Sequence, residues 1–230
     1  MTEAPPPTAD EGEVILLNKP LTWTSFDAVN KLKKACRFKK IGHAGTLDPL
    51  ATGLLILCTG KKTKEIDSYQ GAEKEYTGKL MLGKTTPSID LETPFDGEYP
   101  TKHITTEALQ NAVTQLTGTI EQYPPIYSAV KMGGERLYKK ARRGETVEIK
   151  SRTVTVSVFE IDTRHFPEIS FRIVCSKGTY VRSLVRDLGA LVQSGAYMNA
   201  LCRTRIGDFW LKDAHEIEDY INKKRAALEL

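Results

Sequence analysis

Strand-like and helix-like patterns follow one another in irregular order along this chain, without the regular alternation that builds a parallel sheet. That irregularity restricts the fold more than any other feature. Val14-Ile15-Leu16-Leu17 reads as a short buried strand, Leu54 to Cys58 as a strand, and Tyr76 to Leu82 as an alternating strand ended by Gly83. The clearest strand is Arg152 to Ile161, where Val154, Val156 and Val158 alternate with Thr153, Thr155 and Ser157; Ile169 to Cys175 follows it. Ser25 reads as the cap of a helix with Phe26, Val29 and Leu32 on its inner stripe, and Lys61 to Tyr69 also looks helical. Thr105 opens a helix that turns Leu109, Ala112, Val113 and Leu116 inward and stops at Gly118. Gly178-Thr179 opens another, burying Val181, Leu184, Val185 and Leu188, and Asp213-x-x-Glu216 reads as a capping box for a last helix. The fold class expected is α+β, a mixed and mainly antiparallel central sheet flanked by helices and loops.

The longest apolar run, Gly53 to Cys58, is far shorter than the ~20 residues that span a bilayer, so no membrane partner is expected. Residues 1–13 hold four acidic groups, three consecutive prolines and no cation, unlike a secretory signal or an arginine-rich presequence. They read as a disordered leader before one folded domain, residues 14–230. Cys36, Cys58, Cys175 and Cys202 form no C-x-x-C pair and suit the reduced thiols of a cytoplasmic protein. His43, His103, His165 and His215 are scattered, so no metal site is expected.

The net charge of +4 conceals two strongly basic segments. Lys31, Lys33, Lys34, Arg37, Lys39 and Lys40 follow one another without an acid, and Lys131 to Arg152 carries eight cations against three acids. Two such segments suit a protein that neutralises phosphates. Solvated helix faces are the plainer reading of either one alone. Between them, Gly42 to Gly53 is a loop stiffened by glycines and by Pro49, which holds Asp48 out of the α region. On spacing alone, Asp48 is either an Asx-type turn former or a nucleophile or base presented to a polyanion.

The stretch GHAGTLDPLATGLLILCTGKKTK, Gly42 to Lys64, closely resembles the catalytic motif of the TruB family of pseudouridine synthases. Further matches follow in the family's order: Leu17-Asn18-Lys19-Pro20, Lys74-Glu75-Tyr76, Pro125 to Lys131, Cys175 to Leu184, and Leu201-Cys202-Arg203-Thr204-Arg205. The related guide-RNA-dependent synthases are expected to carry Cys-Glu-Ala-Gly where this chain has Cys175-Ser176-Lys177-Gly178. The resemblance is therefore to the stand-alone bacterial type, with no guide RNA.

The resemblance implies the pseudouridine synthase fold and a tRNA pseudouridine synthase acting as a monomer on uridine 55 of the T arm stem-loop. Such isomerisation needs no redox change or energy donor, hence no cofactor and no metal. By the same resemblance Asp48 is the nucleophile, Arg182 the cation that steadies it, and Tyr76 the platform stacking on the uracil. Otherwise Arg182 is an exposed helical arginine and Tyr76 a half-buried strand aromatic. His43 would fill the space vacated by the flipped base, or else be a satisfied loop histidine. Tyr180 and Leu201 would wall the pocket; their spacing alone reads as core. Lys19, with Pro20, would bind near the pocket and chiefly support it. Residues 123–152 would form a basic thumb-like insertion in which Lys131, Lys139, Lys140, Arg142 and Arg143 meet phosphates, or an ordinary hairpin with a basic face. The small PUA-type RNA-binding domain common in the family is not expected in residues 14–230.

Overall fold

The computed structural model describes residues 11–128, 131–132, 135–137, 143, 145 and 149–228. In chain order the elements are β1 (Val14–Lys19), α1 (Ser25–Ala35), β2 (Ile41–His43), β3 (Ala51–Thr59), α2 (Ile66–Gly71), β4 (Lys74–Leu82), β5 (Lys84–Thr85) and β6 (Gly97–Glu98). They continue with α3 (Thr106–Gln115), β7 (Gly118–Gln122), β8 (Lys131–Met132), β9 (Glu135–Arg136), β10 (Arg152–His165), β11 (Glu168–Cys175), α4 (Val181–Leu191), β12 (Ala196–Ile206), β13 (Phe209–Trp210) and α5 (Ile217–Leu228). The architecture is α+β, and every strand pairing whose register is described is antiparallel. The chain divides into two compact units, Met1–Lys74 with Cys202–Leu230, and Glu75–Leu201.

In the first unit β3 lies between β1 and the end of β12, with β2 also on β3 and β13 on β12. Both faces of β3 are covered. Leu55 and Leu57 pack with Ile15, Leu17, Val29, Leu32 and Ile221, whereas Leu54, Ile56 and Cys58 pack with Ala44 and Ile206. A strand buried on both sides has no polar face to alternate, which is why it reads as an unbroken apolar run. Each fully buried leucine or isoleucine there contributes roughly 1.5–3 kcal/mol. Glu13, assigned to the leader by sequence, donates its N–H to Thr59 Oγ1 at 2.9 Å and pairs with Lys224 at 2.7 Å.

In the second unit the strand order is β12-β4-β11-β10-β7, with α3 packed against β10 and α4. The inner faces of α3 and α4 are those expected from spacing, with Leu109, Ala112, Val113, Leu184, Val185 and Leu188 all buried.

Five local expectations are corrected. Thr24, not Ser25, caps α1, through a capping box with Asp27. Ser25 is thereby turned inside with Ala28, Val29 and Leu32, while Phe26 is 65% exposed. In β10 a bulge between Val156 and Val158 shifts the phase, so Phe159 rather than Val158 is buried. Because α5 starts at Ile217, Asp213 sits three positions too early to cap it and ends a short 3₁₀ turn instead. The Gly42–Gly53 loop is also shorter than expected, with β2 running to His43 and β3 starting at Ala51.

Candidate active-site residues

In the first unit Asp48 is half-buried on the loop between β2 and β3, and the backbone on either side of it is tied down. Ala44 N–H donates to Ile56 O at 2.9 Å. Leu47 N–H donates to Ser25 Oγ at 2.9 Å, and that hydroxyl donates back to Leu47 O at 3.3 Å. Pro49 O accepts from Thr22 N–H at 2.9 Å, and Asp48 O accepts from Ala51 N–H at 3.0 Å. Thr22 reaches Pro49 with φ at +70°, a left-handed conformation that costs a β-branched residue roughly 1–2 kcal/mol. Strain of this kind persists where surrounding contacts over-determine it.

Two cations lie fully inside the same unit. Lys19 is 0% exposed; its Nζ donates to Pro20 O at 2.9 Å, Trp23 O at 2.6 Å and Pro49 O at 3.4 Å. Burial pulls its pKa down from 10.5 to about 8, opposed by the Asp48 carboxylate and reinforced by the Arg203 cation. Its amine is thus engaged by backbone, including the residue after Asp48. Arg203, in β12, is 1% exposed and donates from Nε to Leu54 O at 2.8 Å and from Nη2 to Gly45 O at 3.2 Å. His43 closes β2, paired in register with Leu57. Burial lowers its pKa, the Gly45 backbone opposes that shift, and Arg203 adds to it, so the ring is held toward its neutral form.

In the second unit Arg182 lies in the first turn of α4 and is 3% exposed, not the exposed helical arginine of the plainer reading. Its Nη1 donates to Ser88 O at 2.9 Å, its Nη2 to Tyr127 O at 2.8 Å, and its Nε stands 3.8 Å from the buried Asp90 carboxylate. Between Ser88 and Asp90, Ile89 takes φ +65°, so the loop gripping this guanidinium is strained as well. Tyr180 caps α4. Its N–H donates to Gln122 Oε1 at 2.7 Å, its carbonyl accepts from Gln122 Nε2 at 3.1 Å, and its ring lies 5.1 Å from the Arg152 guanidinium. Tyr76 is half-buried on β4, and Leu201 is 8% exposed on β12.

The sequence did not single out Ser25, Gln122 or the Ser88–Asp90 loop as supports. Their partners stand 22, 58 and 94 positions away, beyond any periodic pattern. Of the basic thumb residues, Lys139, Lys140 and Arg142 lie outside the described residues. Lys131 lies in β8, while Arg143 pairs with Glu145 at 2.7 Å. In the first basic segment, Lys33, Lys34, Arg37, Lys39 and Lys40 are exposed, and Lys31 pairs with Glu218 at 2.7 Å. Among the described residues no helix is long and apolar enough to cross a membrane.

An α+β scaffold that ties down the backbone on both sides of one aspartate on a glycine-rich loop agrees with the family to which the motifs pointed. Residues 33–181 match the TruB family of pseudouridylate synthases (N-terminal domain), and the chain belongs to that family. The tRNA pseudouridine synthase B of Flavobacterium johnsoniae is 54% identical over 214 residues, 90% of this chain and 93% of that protein. That of Phocaeicola vulgatus is 50% identical over 216 residues, 91% and 92% of the two chains. Among solved structures, the crystal structure of a Cbf5-Nop10-Gar1 complex matches with a TM-score of 0.74 and 28% identity, covering 96% of this chain and 56% of that one. An H/ACA RNP bound to a substrate RNA containing 2'-deoxyuridine matches with a TM-score of 0.70 and 25% identity, over 94% of this chain and 54% of that one. This chain thus spans just over half the length of those solved chains. Its fold is that of the pseudouridine synthases.

Proposed function

We propose that this isomerase converts uridine 55 in the T loop of tRNA to pseudouridine, with Asp48 as its nucleophile. The observation that carries the reading is the clamped Asp48 loop, within a family motif and in a chain 54% identical to a tRNA pseudouridine synthase B. The reaction breaks the bond from N1 of uracil to the ribose, turns the base, and joins C5 to the same sugar carbon. N1 gains a proton and C5 releases one to water, so atoms balance without redox change or cofactor. A carboxylate suits this because it both adds and leaves. Its addition to the sugar and its addition to the ring each satisfy the balance.

Roles for the remaining residues follow the family. Arg182 matches the family's cation that favours the ionised form of the nucleophile. A uridine in a folded loop must be unstacked, at roughly a few kcal/mol. Stacking on Tyr76 offsets about 1–3 kcal/mol of that, His43 fills the vacated space, and Tyr180 and Leu201 wall the base. Lys19 supports the loop from inside. Lys131, Lys139, Lys140, Arg142 and Arg143 meet phosphates of the T arm stem-loop. The enzyme works as a cytoplasmic monomer, without guide RNA.

The test is Asp48→Asn, assayed by tritium release from tRNA labelled at C5 of uridine. Release is expected to vanish while tRNA binding stays within a few-fold. Full activity in that variant ends the nucleophile assignment. Mapping of pseudouridine by mass spectrometry in tRNA treated with the native enzyme checks the position, and modification elsewhere than the T loop rejects it.

A further inference from the structure

We infer that Arg203 is a positioning residue for the Asp48 carboxylate, tying both limbs of its loop to β12; this rests on the reading of Asp48 as nucleophile. Arg203 and Lys19 are the largest fully buried side chains among the described residues. A guanidinium loses much solvation on burial and stays charged, so its retention inside a core calls for partners that fix it. Arg203 has two that matter. Leu54 O belongs to β3, on the strand side of the loop, and Gly45 O lies in the loop on the side of β2. One planar group therefore spans the base of the loop, with Asp48 between its two attachment points.

The backbone is built to let it in. Gly53 has φ +103°, and a Cβ there would stand 2.4 Å from Arg203 O and 2.7 Å from Arg203 N, so β12 lies directly against the loop's exit. Gly45 has φ +93°, and Nη1 lies 3.6 Å from where its Cβ would point. The two glycines provide the close approach and the turned carbonyl that the fork needs. A lysine at 203 keeps the charge but offers a single nitrogen, which cannot reproduce the planar fork reaching both carbonyls.

The other side-chain ties act locally: Ser25 holds Leu47, and Thr22 and Lys19 hold Pro49. The backbone bond from Ala44 N–H to Ile56 O also joins the entry of the loop to its exit, and among these ties Arg203 is the side chain that does so, nearer to Asp48 on both limbs. Its removal leaves the carboxylate in place chemically and frees it to move. Misplacement of a reacting group by about 1 Å costs roughly 100-fold in rate. RNA affinity, set by phosphate and base contacts elsewhere, is not predicted to follow.

Arg203→Lys and Arg203→Gln are compared with the native enzyme and with Asp48→Asn. Single-turnover rate at saturating tRNA, tRNA dissociation constant and thermal unfolding are measured on each. Arg203→Lys is expected to fold, to bind tRNA within about three-fold of native, and to react at least ~30-fold more slowly; Arg203→Gln is slower still. A single-turnover rate within about three-fold of native in folded Arg203→Lys overturns the inference. So does a rate that falls only in step with affinity or with the folded fraction, and so does failure of both variants to fold, which makes Arg203 purely structural. An active Asp48→Asn overturns instead the reading of Asp48 on which the inference stands.

Discussion

Replacing Lys19 by methionine isolates a buried charge whose two effects on stability nearly cancel at neutral pH but separate as pH rises. Burial places the native pKa at about 8 against 10.5 for the unfolded chain. Below pH 8 both states hold the proton, and the native state bears a charging penalty of about 3 kcal/mol, at roughly 1.36 kcal/mol for each tenfold loss of proton affinity. Between pH 8 and 10.5 the unfolded chain binds more protons than the native one, so this contribution to unfolding free energy rises with pH. Lys19→Met abolishes the penalty. It also strips a donor from Pro20 O and Trp23 O, while Pro49 O keeps Thr22 N–H. Losing a partner costs a buried carbonyl about 1–3 kcal/mol. At pH 7 the variant should therefore lie within about 3 kcal/mol of the native protein. The Cys58 thiol, pushed up to about 11, and the Tyr69 hydroxyl, pushed up to about 12, make stability fall at alkaline pH in both proteins. The decisive quantity is consequently the difference between native and variant, measured by urea unfolding at pH 7.5, 8.5, 9.5 and 10.5. It should shift by about 3 kcal/mol in favour of the native protein across that range. A difference that stays flat would falsify the assignment of a depressed Lys19 pKa, and with it the desolvation argument.

Two further outcomes are expected. Gly53→Ala places a Cβ against the Arg203 backbone at φ +103° and should lower stability by about 2–4 kcal/mol. Gly118→Ala, at φ +96° with nothing within 4 Å, should cost only about 1–2 kcal/mol in the same urea titration, and equal losses would refute the steric reasoning. Charge reversal at Lys139, Lys140, Arg142 and Arg143 should weaken tRNA binding and flatten the plot of log K against log salt by roughly 0.7–0.9 for each phosphate no longer neutralised. An unchanged slope rejects the thumb as a phosphate-binding element.

Local chemistry alone settled much of this protein. Apolar spacing placed the buried faces of α3 and α4, the apolar run from Leu54 to Cys58 marked a strand, and the glycines with Pro49 marked the stiff loop carrying Asp48. These features depend on neighbours within a turn or two, and so they are written in consecutive residues. The misreadings were local too. Thr24 and Ser25 are both good caps, and the capping box of Thr24 with Asp27, together with the packing of Ser25 under Leu47, chose between them. The bulge in β10 depends on its partner β11, which the alternation of valines could not register.

What tertiary structure decided is which cations are buried and what they hold. Apart from the family motifs, Arg182, Arg203 and Lys19 look in composition and spacing like any other basic residue of a chain with 33 of them. Folding brings backbone carbonyls from positions as far as 158 residues away onto their donors. A backbone carbonyl is the same group at every position, so composition and spacing carry no trace of such a partnership.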